Sequence, residues 1–216
     1  MTNIRLRYQT LEFGESDIHV CTLRDKQQFQ DADGIAEGLG ISSASWAYFG
    51  VIWPSGLILA QFISAYNTAA KRILEVGCGI GLPSLLLNAK CADITATDYH
   101  PEVETFLNRN TSLNNDTTIE FERANWADTN DQLGAFDLII GSDLLYEDEH
   151  SKLLANFINK HAKPSCEILL VDPGRGRKAK MTTRMAEFGF KVSYQKIPQQ
   201  AESDIDFKGY ILKFDR

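Results

Sequence analysis

The chain reads Ile73-Leu74-Glu75-Val76-Gly77-Cys78-Gly79-Ile80-Gly81 where a short apolar run meets three glycines at alternate positions. A segment with helical character, 82–90, follows, and a second apolar run, 93–97, ends at Asp98. Glycine lets the backbone approach a ligand because no Cβ stands in the way. An acid at the tip of the next strand can accept hydrogen bonds from both hydroxyls of a ribose. The pattern predicts a strand, a glycine loop, a helix and a second strand that together bind an adenine nucleoside.

The spacing of the glycines indicates which adenosine cofactor is expected. The dinucleotide fingerprint is G-x-G-x-x-G, whereas this chain has G-x-G-x-G with Leu82 at the position of the third dinucleotide glycine. Glu75 lies two residues before the first glycine, where it would repel a pyrophosphate but suit a cofactor that carries an ammonium and a sulfonium group. No Gly-Lys-Ser/Thr follows, which excludes a Walker loop. We therefore expect S-adenosylmethionine, and a glycine-rich turn without a ligand is the alternative.

Strands and helices alternate along most of the chain. We expect strands at 73–76, 93–98, 118–123, 136–142, 166–172, 190–196 and 207–214, and helices at 54–66, 82–90, 101–113, 147–161 and 177–188. This alternation predicts an α/β fold with a Rossmann-like, seven-stranded, mostly parallel sheet and helices on both faces. Residues 1–45 are expected to form an N-terminal extension with two short strands, 4–8 and 18–23, and a loop, whereas 46–216 form the main domain. Further loops are expected at 116–117 and 198–206.

Composition limits the classes of partner. The 216 residues carry a net charge of −7, and 44% of them are hydrophobic. An acidic balance without a basic stripe argues against a large nucleic-acid surface. No apolar run is long enough to span a bilayer, and residues 1–8 contain two arginines but no signal-peptide pattern. We expect a cytoplasmic protein with no membrane partner.

The four cysteines are scattered and form no C-x-x-C pair, so no metal site is expected. Cys78, Cys91 and Cys166 lie in or beside apolar segments. They are expected to be small buried residues in a reducing compartment.

Polar or aromatic residues follow each expected strand of the sheet, where an open parallel sheet binds its ligands. Besides Glu75 and Asp98, these residues are Asn125, Trp126, Ser142, Asp143, Tyr146, Asp172 and Arg175. Asn125 can bond the edge of an adenine and Trp126 can cover its face, unless Trp126 only closes the end of the sheet. Asp172 and Arg175 can line a channel for the methyl acceptor, or form a salt bridge that stabilises their own loop.

Asp143 and Tyr146 are three residues apart just past the expected strand 136–142. In a turn that begins the next helix, their side chains would point the same way. The carboxylate could then hold an amine and the phenol could orient it, whereas the alternative is that Asp143 caps the helix. Trp53 could lie over the methionine end of the cofactor or pack in the core. An aromatic entrance is expected from Trp46, Tyr48, Phe49 and Trp53.

These residues resemble a known family. The form Glu75-x-Gly-x-Gly-x-Gly81 resembles motif I of the class I, or seven-β-strand, methyltransferases. Asp143-Leu-Leu-Tyr146 is similar to the D-x-x-Y signature of the family 16, or methyltransferase-like, protein-lysine methyltransferases, and Trp53-Pro-Ser-Gly56 resembles an element upstream of their motif I. Asp172-Pro-Gly-Arg175 is similar to a loop in members that modify the electron-transfer flavoprotein β subunit. The resemblance spans residues 46–176.

The resemblance implies an enzyme that transfers a methyl group from S-adenosylmethionine to a lysine side chain of a protein and releases S-adenosylhomocysteine. It implies that Glu75, Gly77, Gly79 and Gly81, with Cys78 between them, wrap the methionine and adenosine. It also implies that Asp98 binds the ribose and Trp126 the adenine, with Ser142, Asp143 and Tyr146 beside the methionine and the incoming amine. No family motif lies in residues 1–45.

Several other acceptors and roles stay open. Related proteins with a similar tryptophan helix modify arginine, and a small-molecule amine or a regulatory cofactor-binding role without catalysis are further alternatives. A nucleic-acid methyltransferase is disfavoured, because Ser142–Tyr146 lacks the two prolines of a D/N/S-P-P-Y/F motif and no cysteine follows a proline.

Overall fold

A computed structural model of the protein describes residues 4–25, 30–128, 132–146, 149–174, 176, 178–197 and 207–216. Its first two strands, β1 (Leu6–Phe13) and β2 (Ser16–Leu23), form an antiparallel hairpin. Gly14, with φ of 65°, forms the turn between them. The two expected N-terminal strands are confirmed, and both extend to this turn.

A seven-stranded sheet forms the body of the protein. Its strands are β3 (Arg72–Val76), β4 (Asp93–Asp98), β5 (Glu120–Arg123), β6 (Phe136–Ser142), β7 (Ala162–Asp172), β8 (Lys191–Lys196) and β9 (Tyr210–Asp215). The helices are α1 (Ile35–Gly38), α2 (Pro54–Ser64), α3 (Leu82–Ala89), α4 (Val103–Leu113), α5 (His150–His161) and α6 (Lys178–Glu187), and a 3₁₀ turn covers Tyr48–Gly50. The spatial order is β5-β4-β3-β6-β7-β9-β8, with β9 antiparallel to both of its neighbours. The expected Rossmann-like, mostly parallel sheet is confirmed.

The chain changes direction across the sheet between β3 and β6. From β3 it proceeds to β4 and β5 on one side, and it then returns to β6 and β7 on the other. Ligands of open α/β sheets bind outside the carboxyl ends of the strands at such a switch point. Backbone bonds hold these ends together, since Cys78 N donates to Thr97 O at 2.9 Å and Asp143 N donates to Val171 O at 2.9 Å.

Two apolar layers cover the faces of the sheet. Consecutive strand residues alternate between them, so that Ile73 belongs to one layer and Leu74 to the other, and both are fully buried. The first layer includes buried residues of α2, α3, α4 and the hairpin, and the second includes those of α5 and α6. Helices therefore lie on both faces, as expected.

The hairpin is attached to α4 by side-chain amides. Asn110 Oδ1 accepts from Cys21 N at 2.7 Å, and Asn114 Oδ1 accepts from His19 N at 2.8 Å. Asn114 Nδ2 also donates to His19 O at 2.8 Å. These bonds satisfy the outer edge of β2, which would otherwise expose backbone groups able to pair with another chain.

Three sequence-based expectations differ from the structure or fall outside it. Helix α5 begins at His150 rather than at the expected 147, and Glu149 is its N-cap. Cys91 is exposed rather than buried, since it lies just past the C-cap of α3 in a left-handed turn with φ of 57° that carries its side chain out to solvent. The expected loop 198–206 lies outside the described residues. No helix in the described ranges is long and apolar enough to cross a membrane.

Candidate functional site

The glycine loop after β3 winds through left-handed backbone. Gly77 has φ of 61° and Gly79 has φ of 52°, a region that side chains strongly disfavour. A Cβ on Gly79 would lie 3.2 Å from Phe49 O, and a Cβ on Gly77 would lie 2.5 Å from Leu144 Cδ2. The loop therefore approaches its neighbours closely, and any side chain at these two positions would be strained.

Asp98 lies at the tip of β4, directly against the loop. Its Oδ2 accepts from Gly79 N at 2.9 Å, and its Oδ1 accepts from His100 N at 2.9 Å. Burial raises the pKa of Asp98, although the hydrogen bonds from His100 and Gly79 oppose this effect. The carboxylate is thus oriented by two backbone donors, and each oxygen keeps a lone pair that can accept a hydrogen bond from a ligand hydroxyl.

Glu75 is only 2% exposed and points under the loop. Its Oε2 accepts from Ser84 N at 3.0 Å and from the Ser84 hydroxyl, so it serves the first turn of α3. Burial is the main cause that raises the pKa of Glu75 to about 8; the Ser84 bonds oppose it, and the charge of Asp98 adds to it. Cys78, between these acids in sequence, is 8% exposed.

Asn125 and Trp126 follow β5 beside the same loop. Asn125 Oδ1 accepts from Ala127 N at 2.9 Å, which fixes the local turn and leaves the amide nitrogen as the group able to bond a ligand. A Cβ on Gly77 would lie 3.8 Å from Trp126 Cζ2. The indole ring also packs edge-on against His150, with centroids 5.3 Å apart. The adenine roles of both residues stay predictions.

Asp143 and Tyr146 lie beyond β6 in a segment without regular secondary structure, not in the first turn of a helix. Asp143 adopts φ of 54°, which an aspartate tolerates better than most residues, and Leu144 then turns into the core against Gly77. This bend corrects the expected geometry and excludes Asp143 as the cap of α5, whose N-cap is Glu149. The Tyr146 ring is 41% exposed and packs edge-on against His150 at 4.5 Å.

The start of α2 closes another side of the site. A Cβ on Gly56 would lie 3.7 Å from Ser142 Oγ, so this helix begins beside the end of β6. Trp53 Nε1 donates to Tyr48 O at 3.0 Å, and the two rings pack edge-on at 5.3 Å. Trp53 is therefore half-buried at the rim, held by its own entry segment.

Phe49 and His100 form a contact that the sequence did not predict. Their rings stack at 4.1 Å, Phe49 is 4% exposed and His100 is 6% exposed. Burial lowers the pKa of His100 to about 4, although Asp31 opposes this effect. Phe49 is thus part of the core rather than of the expected aromatic entrance. The only sequence signal for this pair was the position of His100, two residues after Asp98.

Asp172 ends β7 and is 2% exposed. Its Oδ2 accepts from Gly174 N at 3.2 Å, within its own loop. Arg175 lies outside the described residues. The acceptor-channel role of these two residues stays a prediction. In the described ranges, no group of three His, Cys, Asp or Glu side chains could hold a metal ion.

A profile of methyltransferase family 16, described as lysine methyltransferase, matches residues 41–186. The chain belongs to this family. It is 25% identical over 174 residues to protein N-lysine methyltransferase METTL21A of Danio rerio, which covers 76% of this chain and 78% of that protein. It is 29% identical to calmodulin-lysine N-methyltransferase of Arabidopsis thaliana, over 57% of this chain and 45% of that one. Histone-arginine methyltransferase METTL23 of Xenopus laevis is 34% identical over 44% of each chain.

Solved structures share the fold of this family member. The 16S rRNA N2 G1207 methyltransferase of T. Thermophilus, in complex with AdoMet and guanosine, superposes with a TM-score of 0.67 at 12% identity, over 98% of this chain and 50% of that chain. A methyltransferase from Pyrococcus furiosus gives a TM-score of 0.61 at 19% identity, over 85% and 98%. The expected resemblance and the fold class are confirmed. The chain spans about half the length of the first curated relatives it matches, with 46% and 45% for two of them.

Proposed function

We propose that this protein transfers a methyl group from S-adenosylmethionine to a lysine side chain of a protein. Support comes above all from the Asp98 carboxylate, which is fixed between the N–H groups of Gly79 and His100 beside a loop in which a Cβ on Gly79 would press on Phe49 O. That cradle fits the ribose of an adenosine cofactor. Membership of the lysine methyltransferase family supports the choice of reaction.

In this proposal, different residues around the loop bind different parts of the cofactor. Asp98 accepts the ribose hydroxyls, and Asn125 and Trp126 contact the adenine. The pKa of about 8 leaves the buried carboxyl of Glu75 largely protonated at neutral pH. Glu75 therefore loses this proton when it forms an ion pair with the ammonium group of the cofactor. Trp53, Ser142 and Cys78 surround the methionine part. When bound, S-adenosylmethionine supplies an electrophilic methyl group on a sulfonium.

The chain's own residues then have to present a neutral amine in line with that methyl group. A free lysine has a pKa near 10.4, so its proton must leave before transfer, and a water-poor surrounding favours this loss. The half-buried ring of Trp53 at the rim can contribute to such a surrounding. We assign Asp143 the positioning of the amine and Tyr146 a hydrogen bond that orients it; most of the acceleration then comes from proximity and alignment.

A second acceptor has some support. The relative named histone-arginine methyltransferase is 34% identical over part of the chain, which favours arginine as the alternative to lysine. A small-molecule amine is the third outcome that an experiment has to distinguish.

The test combines cofactor binding with methyl transfer. Calorimetry with S-adenosylmethionine, S-adenosylhomocysteine and NAD should show binding of the first two only. Asp98→Asn should weaken that binding about 100-fold, because two hydrogen bonds to a charged group are lost or weakened. Asp93→Asn is the matched control, since this exposed aspartate begins the same strand at its opposite end.

The acceptor is then identified in a cell lysate with radiolabelled cofactor, followed by acid hydrolysis of the labelled proteins. Methyl-lysine in one protein band supports the proposal. Methyl-arginine would instead identify arginine as the acceptor, and label confined to small molecules would contradict a protein substrate. Failure to bind either cofactor form would overturn the activity as a whole.

We also propose a cytoplasmic location. All four cysteines are free thiols, and three of them are buried, which suits a reducing compartment. Fractionation of cells that express the tagged protein tests this location.

A further inference from the structure

A basic groove lies between α5 and α6, next to the proposed acceptor site. It has a volume of about 390 Å³ and is lined by Ser151, Lys152, Lys180, Thr183, Arg184 and Glu187. Three cations face one carboxylate in it, on a chain whose net charge is −7. The groove is therefore a local reversal of the protein's overall charge.

The groove adjoins the rim of the site through consecutive residues. Ser151 directly follows His150, whose ring contacts Tyr146 at 4.5 Å and Trp126 at 5.3 Å. His150 Nδ1 also lies 3.0 Å from Leu144 O, which ties the first turn of α5 to the segment after β6. A chain that reached Tyr146 could thus continue along α5 into the groove.

A buried hydroxyl in the groove lacks a partner. Ser151 is 2% exposed, and its Oγ has no hydrogen-bond partner among the described residues. An unsatisfied buried hydroxyl costs free energy, and a ligand carboxylate that came within reach of this one would relieve the cost by accepting a hydrogen bond from it. Arg184 is already paired with Glu187 at 2.8 Å, an exposed ion pair that a ligand carboxylate could replace at little cost.

We propose that this groove binds an acidic segment of the protein substrate, next to the lysine that is methylated. The choice of occupant rests on the proposed activity. Carboxylate side chains match the three cations and the Ser151 hydroxyl, whereas none of the six lining residues is aromatic, so the groove offers no ring on which a base could stack. An acidic peptide therefore fits it better than a nucleic acid does.

The test measures binding without cofactor, so that its outcome is independent of methyl transfer. Fluorescein-labelled octaglutamate is titrated with the full chain at low salt, and fluorescence anisotropy is recorded. Lys152→Glu combined with Arg184→Glu should weaken binding about tenfold or more, because two attractive charges become repulsive. Lys191→Glu, the same change of charge at the start of the exposed edge strand β8, should leave binding unchanged.

Ser151→Ala separates a ligand role from a structural one. Removing a buried hydroxyl without a partner should leave the free protein equally stable or more stable in urea, while octaglutamate binding falls about threefold or more. The proposal that the groove binds acidic peptides would be overturned if the double variant bound octaglutamate as tightly as the wild type. An equal loss of affinity in Lys191→Glu would overturn it as well. Tighter binding of an eight-nucleotide oligouridine than of octaglutamate would also overturn it, in favour of nucleic acid.

The groove and the proposed activity fail separately. If the protein bound octaglutamate but not S-adenosylmethionine, the proposal for the groove would stand and the proposed methyl transfer would be rejected. If lysine were methylated in a lysate but the double variant bound octaglutamate like the wild type, the proposed activity would stand and the proposal for the groove would be rejected.

Discussion

Replacing Glu75 by glutamine should stabilise the free protein at neutral pH, although the residue lies in the proposed cofactor site. Burial raises the pKa of this carboxyl from its ordinary value of 4.5 to about 8. The native state therefore keeps a proton that the unfolded chain releases, and the free energy of unfolding falls as the pH rises from 4.5 to about 8. At about 1.36 kcal/mol per unit, the loss reaches about 3 kcal/mol at pH 7.

Glutamine has the shape of the protonated acid and cannot ionise. Its carbonyl can accept from Ser84 as Glu75 does, and its amide replaces the acid hydroxyl. The variant should therefore unfold at a higher urea concentration than the wild type at pH 7. The difference in the free energy of unfolding should be about 3 kcal/mol at pH 7, fall below about 1 kcal/mol at pH 5, and vanish below about pH 4. Fluorescence of the three tryptophans in urea titrations at several pH values measures this gap.

Glu120→Gln is the matched control, because it makes the same substitution at a carboxylate that is exposed on β5. A constant gap between Glu75→Gln and the wild type from pH 5 to 8 would refute the protonated state. Cofactor binding provides a second readout. The wild type should release close to one proton on binding S-adenosylmethionine at pH 7, seen as a dependence of the calorimetric enthalpy on the buffer, and the variant should bind more weakly and release none.

Further predictions concern other parts of the fold and site. Burial opposes ionisation of Glu167, but hydrogen bonds from Lys213, Lys71 and Tyr66 lower its pKa to about 2, so its stabilisation is present above pH 4.5 and is lost as the pH falls toward 2. Glu167→Gln should thus cost about 1 to 2 kcal/mol at pH 7, after screening at this 28% exposed side chain, and little at pH 2.5 in urea titrations. Gly79→Ala should abolish detectable cofactor binding by calorimetry and cost about 1 to 2 kcal/mol of stability, because a left-handed alanine would also press on Phe49 O; retained affinity would contradict the close approach. Asp143→Asn should lower kcat about tenfold or more with little change in cofactor affinity, whereas Tyr146→Phe should have a smaller effect on the same steady-state assay; intact turnover in Asp143→Asn would remove its positioning role.

Local sequence patterns sufficed for the sheet and the loop. Strands β3, β4 and β6 are apolar runs of the right length between polar ends, and they were predicted almost to the residue. The three glycines and the acid at Asp98 were recognisable because the ligand-binding form of this loop requires positive φ and a carboxylate at fixed spacing. These features depend on neighbours within about 25 residues, which a single sequence displays.

Contacts between distant segments could not be predicted in the same way. The sequence around Phe49 and that around His100 give no indication that the two rings stack. This contact explains why Phe49 lies in the core and not in the expected aromatic entrance. The left-handed bend at Asp143 accompanies the packing of Leu144 beside Gly77, a contact between distant segments that the local sequence does not display. The exposed turn at Cys91 likewise reflects how α3 ends, which the apolar surroundings in sequence concealed.

The attachment of the hairpin to α4 has a consequence during protein synthesis. The hydrogen bond between Cys21 and Asn110 joins residues that are 89 positions apart. A ribosome that adds about 5 to 20 residues per second needs on the order of 5 to 20 seconds to complete α4 after β2 has been made. Until then, the apolar side chains of Ile18, Val20 and Leu23 lack the part of their cover that α4 provides, and the edge of β2 is open. The nascent hairpin is therefore a segment that a chaperone has time to bind, before the two asparagines close its edge.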